Sequence, residues 1–108
     1  MSEMKDLSHR MIKLIMYSLG VDVGKHYGST SFDKFYLRMN FYDNQNAEAA
    51  PDDQIFYKAH TDLCCLTILY EDDVGGLQIR TKEGEWVDSK PLPGSFLVNI
   101  GDCLQVIN

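Results

Sequence analysis

A chain of 108 residues has room for one domain with a modest core, and 44% hydrophobic and 24% charged residues argue against general disorder. Sixteen acidic and ten basic residues give a net charge of −6, and no stretch concentrates Lys and Arg. We therefore expect neither a nucleic-acid nor a membrane partner. No apolar run is long enough to span a bilayer, and residues 1–20 lack a signal-peptide pattern, so the sequence predicts a cytoplasmic protein.

Residues 6–19 have the periodicity of an amphipathic helix. Asp6 and Ser2 are both suitable N-caps, and Gly20 suits the position just after the last turn. The predicted core face holds the apolar residues that recur at three-and-four spacing, Leu7, Met11, Leu14, Ile15 and Leu19. The pattern predicts a helix that packs on a sheet.

A polar connection at 21–34, with His26 as an expected solvated side chain, leads to a predicted strand at 35–42. The residues of this strand alternate between two faces. Phe35, Leu37, Met39 and Phe41 form an expected core face. The other face carries Tyr36, Arg38, Asn40 and Tyr42, and it either lines a site or faces solvent.

The stretch at 57–70 has the composition of a β-strand and contains His60 and Asp62. Residues two apart on a strand point to the same face, so an imidazole and a carboxylate would project together. These are two ligands of the 2-His-1-carboxylate facial triad that holds non-haem Fe(II). The bare spacing is also that of an ordinary polar pair at the end of a strand, and taken alone it favours that simpler interpretation.

The three cysteines form neither a disulfide framework nor a Cys-x-x-Cys pair. Cys64 would share the predicted strand face of His60 and Asp62. Four strand residues span about 13 Å, however, which is too far for His60 and Cys64 to reach one zinc ion. We expect Cys64, Cys65 and Cys103 to be buried, inert thiols.

The rest of the chain alternates short apolar runs with Gly and Pro turns. Strands are predicted at 77–80, 86–88, 95–100 and 103–107. The acidic turn at 71–73 matches no calcium loop, and the glycines at 75–76 match no phosphate loop. The pattern predicts an antiparallel sandwich or barrel, and the apolar run directly before Asn108 predicts a truncated sheet.

An ordered set of short pieces resembles one enzyme family. The segment from Arg38 to Asn108 resembles the catalytic domain of 2-oxoglutarate/Fe(II)-dependent dioxygenases, in the isopenicillin N synthase-like branch. The matching pieces are Arg-Met-Asn-Phe-Tyr at 38–42, Ala-His-Thr-Asp at 59–62, Leu-Thr-Ile-Leu at 66–69, Gly-Gly-Leu-Gln-Ile at 75–79, Trp-Val at 86–87, Pro-Gly-Ser-Phe-Leu-Val-Asn-Ile-Gly-Asp at 93–102 and Leu-Gln at 104–105. Their order and spacing follow the family, and this favours the metal-ligand interpretation of the histidine and aspartate.

The resemblance implies a fold and a division of the chain. The fold is a mainly β, double-stranded β-helix (jelly-roll), incomplete at its C-terminus and preceded by one amphipathic helix. The helix and connector would occupy 1–34, and a partial dioxygenase domain 35–108. Leu77, Trp86 and the 93–102 segment would be structural.

The resemblance also implies a reaction, its cofactors and its residues. His60 and Asp62 look like iron ligands, and Asn40 and Tyr42 match positions that line the 2-oxoglutarate pocket. The implied cofactors are Fe(II) and 2-oxoglutarate as co-substrate, with ascorbate as a further candidate. The implied partners are dioxygen and a small organic metabolite, which would be hydroxylated or desaturated.

The chain departs from the family pattern after the last matching piece. The family's second iron-binding His and the Arg-x-Ser pair that anchors 2-oxoglutarate lie beyond the position of Asn108, so the resemblance predicts a fragment. Two alternatives stay open. One is an oxidase of the isopenicillin N synthase type that uses no 2-oxo acid, and the other is a non-catalytic binding module that keeps the barrel strands.

Overall fold

A computed structural model describes residues 2–22, 24, 34–42 and 55–106 of the chain. The chain forms two compact units, Met1–His60 and Thr61–Asn108. His26, predicted to be a solvated side chain, lies outside the described residues. Within the described ranges, no helix is long and apolar enough to cross a membrane.

The first unit contains the predicted helix, α1, which spans Ser2–Ser18 and so begins four residues earlier than the sequence pattern indicated. Its C-terminal end is closed by two backbone hydrogen bonds. The N–H of Gly20 donates to the carbonyl of Tyr17 (3.1 Å), and the N–H of Val21 donates to that of Met16 (3.0 Å). Gly20 has a φ of 72°, in the left-handed region that favours glycine, so its predicted position after the last turn is confirmed.

The buried face of α1 differs from the predicted one. It consists of Ser8, Ile12 and Met16, whereas Leu14 is 69% exposed and Leu19 41% exposed. The apolar pattern of a helix shows which residues are suited to burial, but the neighbouring chain decides which of them are covered.

Phe35 contacts two polar side chains of α1. The ring of His9 meets the ring of Phe35 edge-on at 5.1 Å, and the Lys5 ammonium lies 5.2 Å from the centre of the Phe35 ring. Lys5 and His9 are one turn apart on α1, so the helix presents to Phe35 a row that includes polar residues. A basic side chain over an aromatic face is a favourable contact in its own right.

Residues 34–42 do not form the predicted strand. Their backbone is irregular, and the predicted core face is largely exposed, with Leu37 at 71%, Met39 at 87% and Phe41 at 90%. A strand requires a neighbour whose N–H and C=O groups pair with its own. In the described part of the chain, each of the four strands pairs with another strand and none pairs with this segment.

The second unit contains, among its described residues, four short strands and a short helix. Their bounds are β1 Leu66–Leu69, β2 Gln78–Arg80, β3 Trp86–Asp88, β4 Leu97–Ile100 and α2 Asp102–Gln105. β1 pairs with β4 in an antiparallel sheet that sets Leu66 opposite Ile100, and β2 pairs with β3 in a second antiparallel sheet. The β2–β3 hairpin is therefore nested in sequence between the two strands of the first sheet.

The hairpin turn is closed by backbone hydrogen bonds around Gly84. The N–H of Thr81 donates to the carbonyl of Glu85 (2.7 Å), and the N–H of Gly84 donates to that of Thr81 (3.0 Å). Across the strands, the side-chain amide of Gln78 donates to the carboxylate of the opposite residue, Asp88 (2.9 Å). The two strands predicted here are confirmed to within a residue.

Two other predicted strands differ from the observed structure. The strand predicted at 57–70 spans only Leu66–Leu69, because its partner β4 supplies only four paired residues. The strand predicted at 103–107 is replaced by α2, whose first turn closes when the N–H of Leu104 donates to the carbonyl of Gly101 (3.0 Å). Asp102 in that turn also suits the positive end of the helix dipole. The described residues thus form small antiparallel sheets with helices, and the full jelly-roll stays a prediction.

Candidate active site

His60 and Asp62 lie on irregular backbone before β1 rather than on a strand. The boundary between the two compact units falls between His60 and Thr61, inside the His-x-Asp pair. The alternation of a strand therefore does not apply to these two residues, and their common direction stays a prediction. His60 is exposed, and Asp62 is partly buried.

His60 is oriented by neighbours in the first unit. Its Nδ1 lies 2.9 Å from the backbone carbonyl of Lys58. A carbonyl can only accept, so Nδ1 carries the proton in this contact and is the donor. A backbone carbonyl at one ring nitrogen is a common companion of a histidine that binds metal through the other.

The ring of Tyr57 adds a second constraint on His60. The two rings meet edge-on, with their centres 4.8 Å apart and their planes at 81°. The Tyr57 hydroxyl in turn accepts a hydrogen bond from Nη1 of Arg38 (2.7 Å). Arg38 thus orients Tyr57, and Tyr57 packs against the imidazole.

Asp62 is held through its backbone by the start of α2. Its carbonyl accepts a hydrogen bond from the N–H of Asp102 (2.8 Å). On one side of it the Thr61 hydroxyl donates to Oδ2 of Asp102 (2.9 Å), and on the other the Cys103 thiol donates to the carbonyl of Leu63 (2.8 Å). Three consecutive residues of the 61–63 segment are therefore attached to Asp102 and Cys103.

Gly101 permits this close approach of two backbones. Its N–H donates to the carbonyl of Cys65 (3.0 Å), and the residue is buried. A Cβ at this position would overlap the carbonyl oxygen of Cys64 and lie 2.8 Å from that of Asp62. The backbone angles, φ −88° and ψ 171°, are ordinary for any residue, so space alone requires a glycine here.

Asn40 and Tyr42 lie in the irregular segment 34–42, which also carries Arg38. Both side chains are exposed, and the Tyr42 ring packs at a tilt on Phe56, with centres 5.7 Å apart. They do not share a strand face, because this segment is not a strand. Their part in a co-substrate pocket stays a prediction.

The three thiols are free but not buried as predicted, because Cys64 and Cys103 are exposed and only Cys65 is partly covered. Burial, followed by the neighbouring thiol of Cys103, raises the pKa of the Cys65 thiol. The Cys64 sulfur lies 3.2 Å from the Thr67 hydroxyl and 3.4 Å from the carbonyl of Leu66. The Cys64 sulfur thus contacts β1, and the Cys103 thiol contacts the carbonyl of Leu63.

The donor set of this region fits part of an iron site. An imidazole nitrogen and a carboxylate oxygen are ligands of the facial triad that holds Fe(II). Within the described residues, no group of three or more His, Cys, Asp and Glu side chains is arranged to hold a metal ion. His60 and Asp62 supply two of the ligand types of such a triad, and their role as iron ligands stays a prediction.

Comparison with known proteins identifies the family. Residues 34–108 match the model of the 2OG-Fe(II) oxygenase superfamily. The chain belongs to this superfamily, which is a class of oxidoreductases that use Fe(II) and 2-oxoglutarate. The resemblance stated from the sequence motifs is thereby confirmed at the level of the superfamily, whose members use Fe(II) and 2-oxoglutarate.

Individual relatives come from fungi and plants. The chain is 43% identical over 77 residues to the 2-oxoglutarate-Fe(II) type oxidoreductase ppzC of Metarhizium majus (strain ARSEF 297), covering 66% of this chain and 21% of that protein. It is 36% identical over 110 residues to homoarginine-6-hydroxylase 2-ODD-233 of Oryza sativa subsp. japonica, covering 97% and 33%. It is 35% identical over 106 residues to gibberellin 20 oxidase 2 of Oryza sativa subsp. indica, covering 98% and 26%.

The chain thus spans between 21% and 33% of the length of these three relatives. No solved structure matches it.

Proposed function

We propose that this chain supplies part of the iron site of an Fe(II)- and 2-oxoglutarate-dependent dioxygenase that hydroxylates or desaturates a small organic metabolite. The observation that carries the proposal is the His-x-Asp pair inside the family match, with Nδ1 of His60 on a carbonyl and the backbone of Asp62 fixed. In hydroxylation, one oxygen atom of O2 enters the substrate, and the other enters the succinate formed as 2-oxoglutarate loses CO2.

Each candidate residue has a distinct task. Bound Fe(II) and 2-oxoglutarate would supply the oxidising power toward a C–H bond. Nε2 of His60 and the carboxylate of Asp62 would hold the metal, and the carboxylate would offset part of its charge. The Tyr42 hydroxyl would donate to a carboxylate of the co-substrate, with Asn40 nearer the metal.

A complete site requires more than these four residues. A facial triad has a third ligand, and 2-oxoglutarate requires a cation for its far carboxylate. We propose that both come from the remainder of a longer protein, as the coverage of the relatives suggests. In that protein the β1–β4 sheet would be one part of a jelly-roll core.

The substrate class rests on the names of relatives. One is a hydroxylase of homoarginine, and another is an oxidase of gibberellin. These two substrates differ in polarity, and the chain shares 36% and 35% identity with the two enzymes, so neither is favoured. What they share is small size, and this is the part carried over to the present chain.

An anaerobic titration with Fe(II) and 2-oxoglutarate tests the proposal through the visible charge-transfer band of the chelated metal. His60→Ala and Asp62→Ala should each abolish the band. Asp73→Ala removes an exposed carboxylate from the acidic turn and is the matched control, so its band should persist.

A second titration uses a chain that continues past Asn108. A band on that chain alone would support the enzyme and place the missing ligand in the added part. The absence of a band from both chains would refute the catalytic proposal and favour the binding module.

A further inference from the structure

Thr61 and Asp102 are connected although 41 residues separate them in the sequence. The Thr61 hydroxyl donates to Oδ2 of Asp102 (2.9 Å), while the backbone N–H of Asp102 donates to the carbonyl of Asp62 (2.8 Å). Asp102 therefore contacts the backbone of the candidate ligand Asp62 and also accepts a hydrogen bond from the residue before it, Thr61. A hydrogen bond to an ionised carboxylate is stronger than one between neutral groups.

The surrounding atoms leave this backbone little room to shift. Gly101 lies so close to the 62–64 segment that an added Cβ would overlap the Cys64 carbonyl oxygen. The Cys103 thiol fixes the next carbonyl, that of Leu63. The Asp62 side chain therefore projects from a segment that is attached at three consecutive residues.

We infer that Asp102 and Thr61 are positioning residues that hold Asp62 in its metal-binding orientation. The inference rests on the proposed function, because it takes Asp62 to be an iron ligand. Neither residue touches the metal in this scheme. Thr61 holds Asp102 in place, and Asp102 holds the peptide from which the ligating carboxylate projects.

Groups that orient a metal ligand usually contribute about tenfold to hundredfold to metal affinity. Thr61→Val removes the hydroxyl at nearly constant shape, and Asp102→Ala removes its acceptor. Asp102→Asn keeps an acceptor oxygen and so should rescue the contact. Thr81→Val is the matched control, because the Thr81 hydroxyl accepts the N–H of Glu85 (3.2 Å) in the β2–β3 turn.

The probe is Mn(II), added alone to the 108-residue chain. Paramagnetic broadening of the NMR signals of His60 and Asp62 reports site-specific binding even when affinity is weak. We expect Thr61→Val and Asp102→Ala to weaken binding by about tenfold or more, and Asp102→Asn to stay within about threefold of the wild type. Thr81→Val should bind as the wild type does.

Two further readouts separate positioning from folding. Thermal unfolding identifies variants that lose the fold, and amide exchange at Asp102 reports the bond to the Asp62 carbonyl. The inference is overturned if folded Thr61→Val binds Mn(II) as tightly as Thr81→Val, or if Asp102→Asn is as weak as Asp102→Ala. If the wild-type 108-residue chain shows no broadening at His60 and Asp62, the same variants are compared in a chain that continues past Asn108. The absence of broadening from that longer chain as well would overturn the proposed function, and this inference with it.

Discussion

Replacing Gly101 with alanine is expected to destabilise the second unit and to displace the backbone of Asp62. The new Cβ would overlap the carbonyl oxygen of Cys64 and lie 2.8 Å from that of Asp62. Both neighbours are backbone atoms, so no side-chain rotation can relieve the overlap. The 62–64 segment or the start of α2 has to move.

The expected cost follows from these contacts. Forcing extra atoms into a filled space costs about 1–3 kcal/mol. Separation of the two segments also weakens the hydrogen bonds from the N–H groups of Gly101 and Asp102, each with a net value of about 1 kcal/mol. If the segments move apart, the steric overlap is relieved but the hydrogen bonds weaken, so the two costs do not add in full. We therefore expect a total loss of about 3 kcal/mol in the free energy of unfolding.

Urea unfolding followed by circular dichroism measures this loss. At a slope of about 1.5 kcal/mol per molar urea, the midpoint should fall by about 2 M. Gly94→Ala is the control, because a Cβ there meets nothing within 4 Å although the φ of 72° costs about 1 kcal/mol. The steric argument fails if Gly101→Ala is no less stable than Gly94→Ala.

Three further changes have defined outcomes. Gly20→Ala should destabilise the end of α1 by about 1 kcal/mol, because the φ of 72° disfavours a side chain. Circular dichroism should show a loss of helix, and an unchanged signal would contradict the left-handed cap. Tyr57→Ala should weaken Mn(II) binding about threefold to tenfold by removing the ring beside His60, and Tyr57→Phe should have a smaller effect. Equal losses would instead assign the effect to the hydroxyl that Arg38 contacts.

The third prediction concerns the Cys65 thiol, whose raised pKa leaves less thiolate at pH 8. Iodoacetamide should therefore alkylate Cys65 more slowly than Cys103, and mass spectrometry measures both rates. Because the folded-state pKa is raised, the protonated thiol favours the fold, and this contribution is lost as pH rises through that pKa. Cys103→Ser should speed the alkylation of Cys65, and an unchanged rate would exclude the influence of the neighbouring thiol.

Residue types and local order were enough to predict the family and the hairpin. The ordered motifs around Asn40, His60 and Asp62 indicated the oxygenase superfamily, and the match over residues 34–108 confirms it. The β2–β3 hairpin and the glycine cap of α1 were also predictable. Both depend on contacts within a few residues, which a short stretch of sequence contains in full.

Elements that depend on distant partners were predicted less well. Residues 34–42 alternate as a strand would, yet in the described part of the chain no strand pairs with them, and their apolar side chains are exposed. The buried face of α1, Ser8, Ile12 and Met16, also differs from the predicted one, because the chain that packs on a helix decides which residues are covered. The strand predicted at 57–70 is limited to Leu66–Leu69, because β4 pairs with only these four residues.

The sequence by itself determined that an imidazole and a carboxylate lie two residues apart within a 2OG-Fe(II) oxygenase match. Covalent spacing fixes that fact, and no folding is needed to establish it. Only the tertiary structure showed how the pair is supported, with Tyr57 beside His60 and Asp102 bound to the backbone of Asp62. The second contact joins segments some forty residues apart in sequence, and no pattern in either segment specifies the other, so folding alone brings them together.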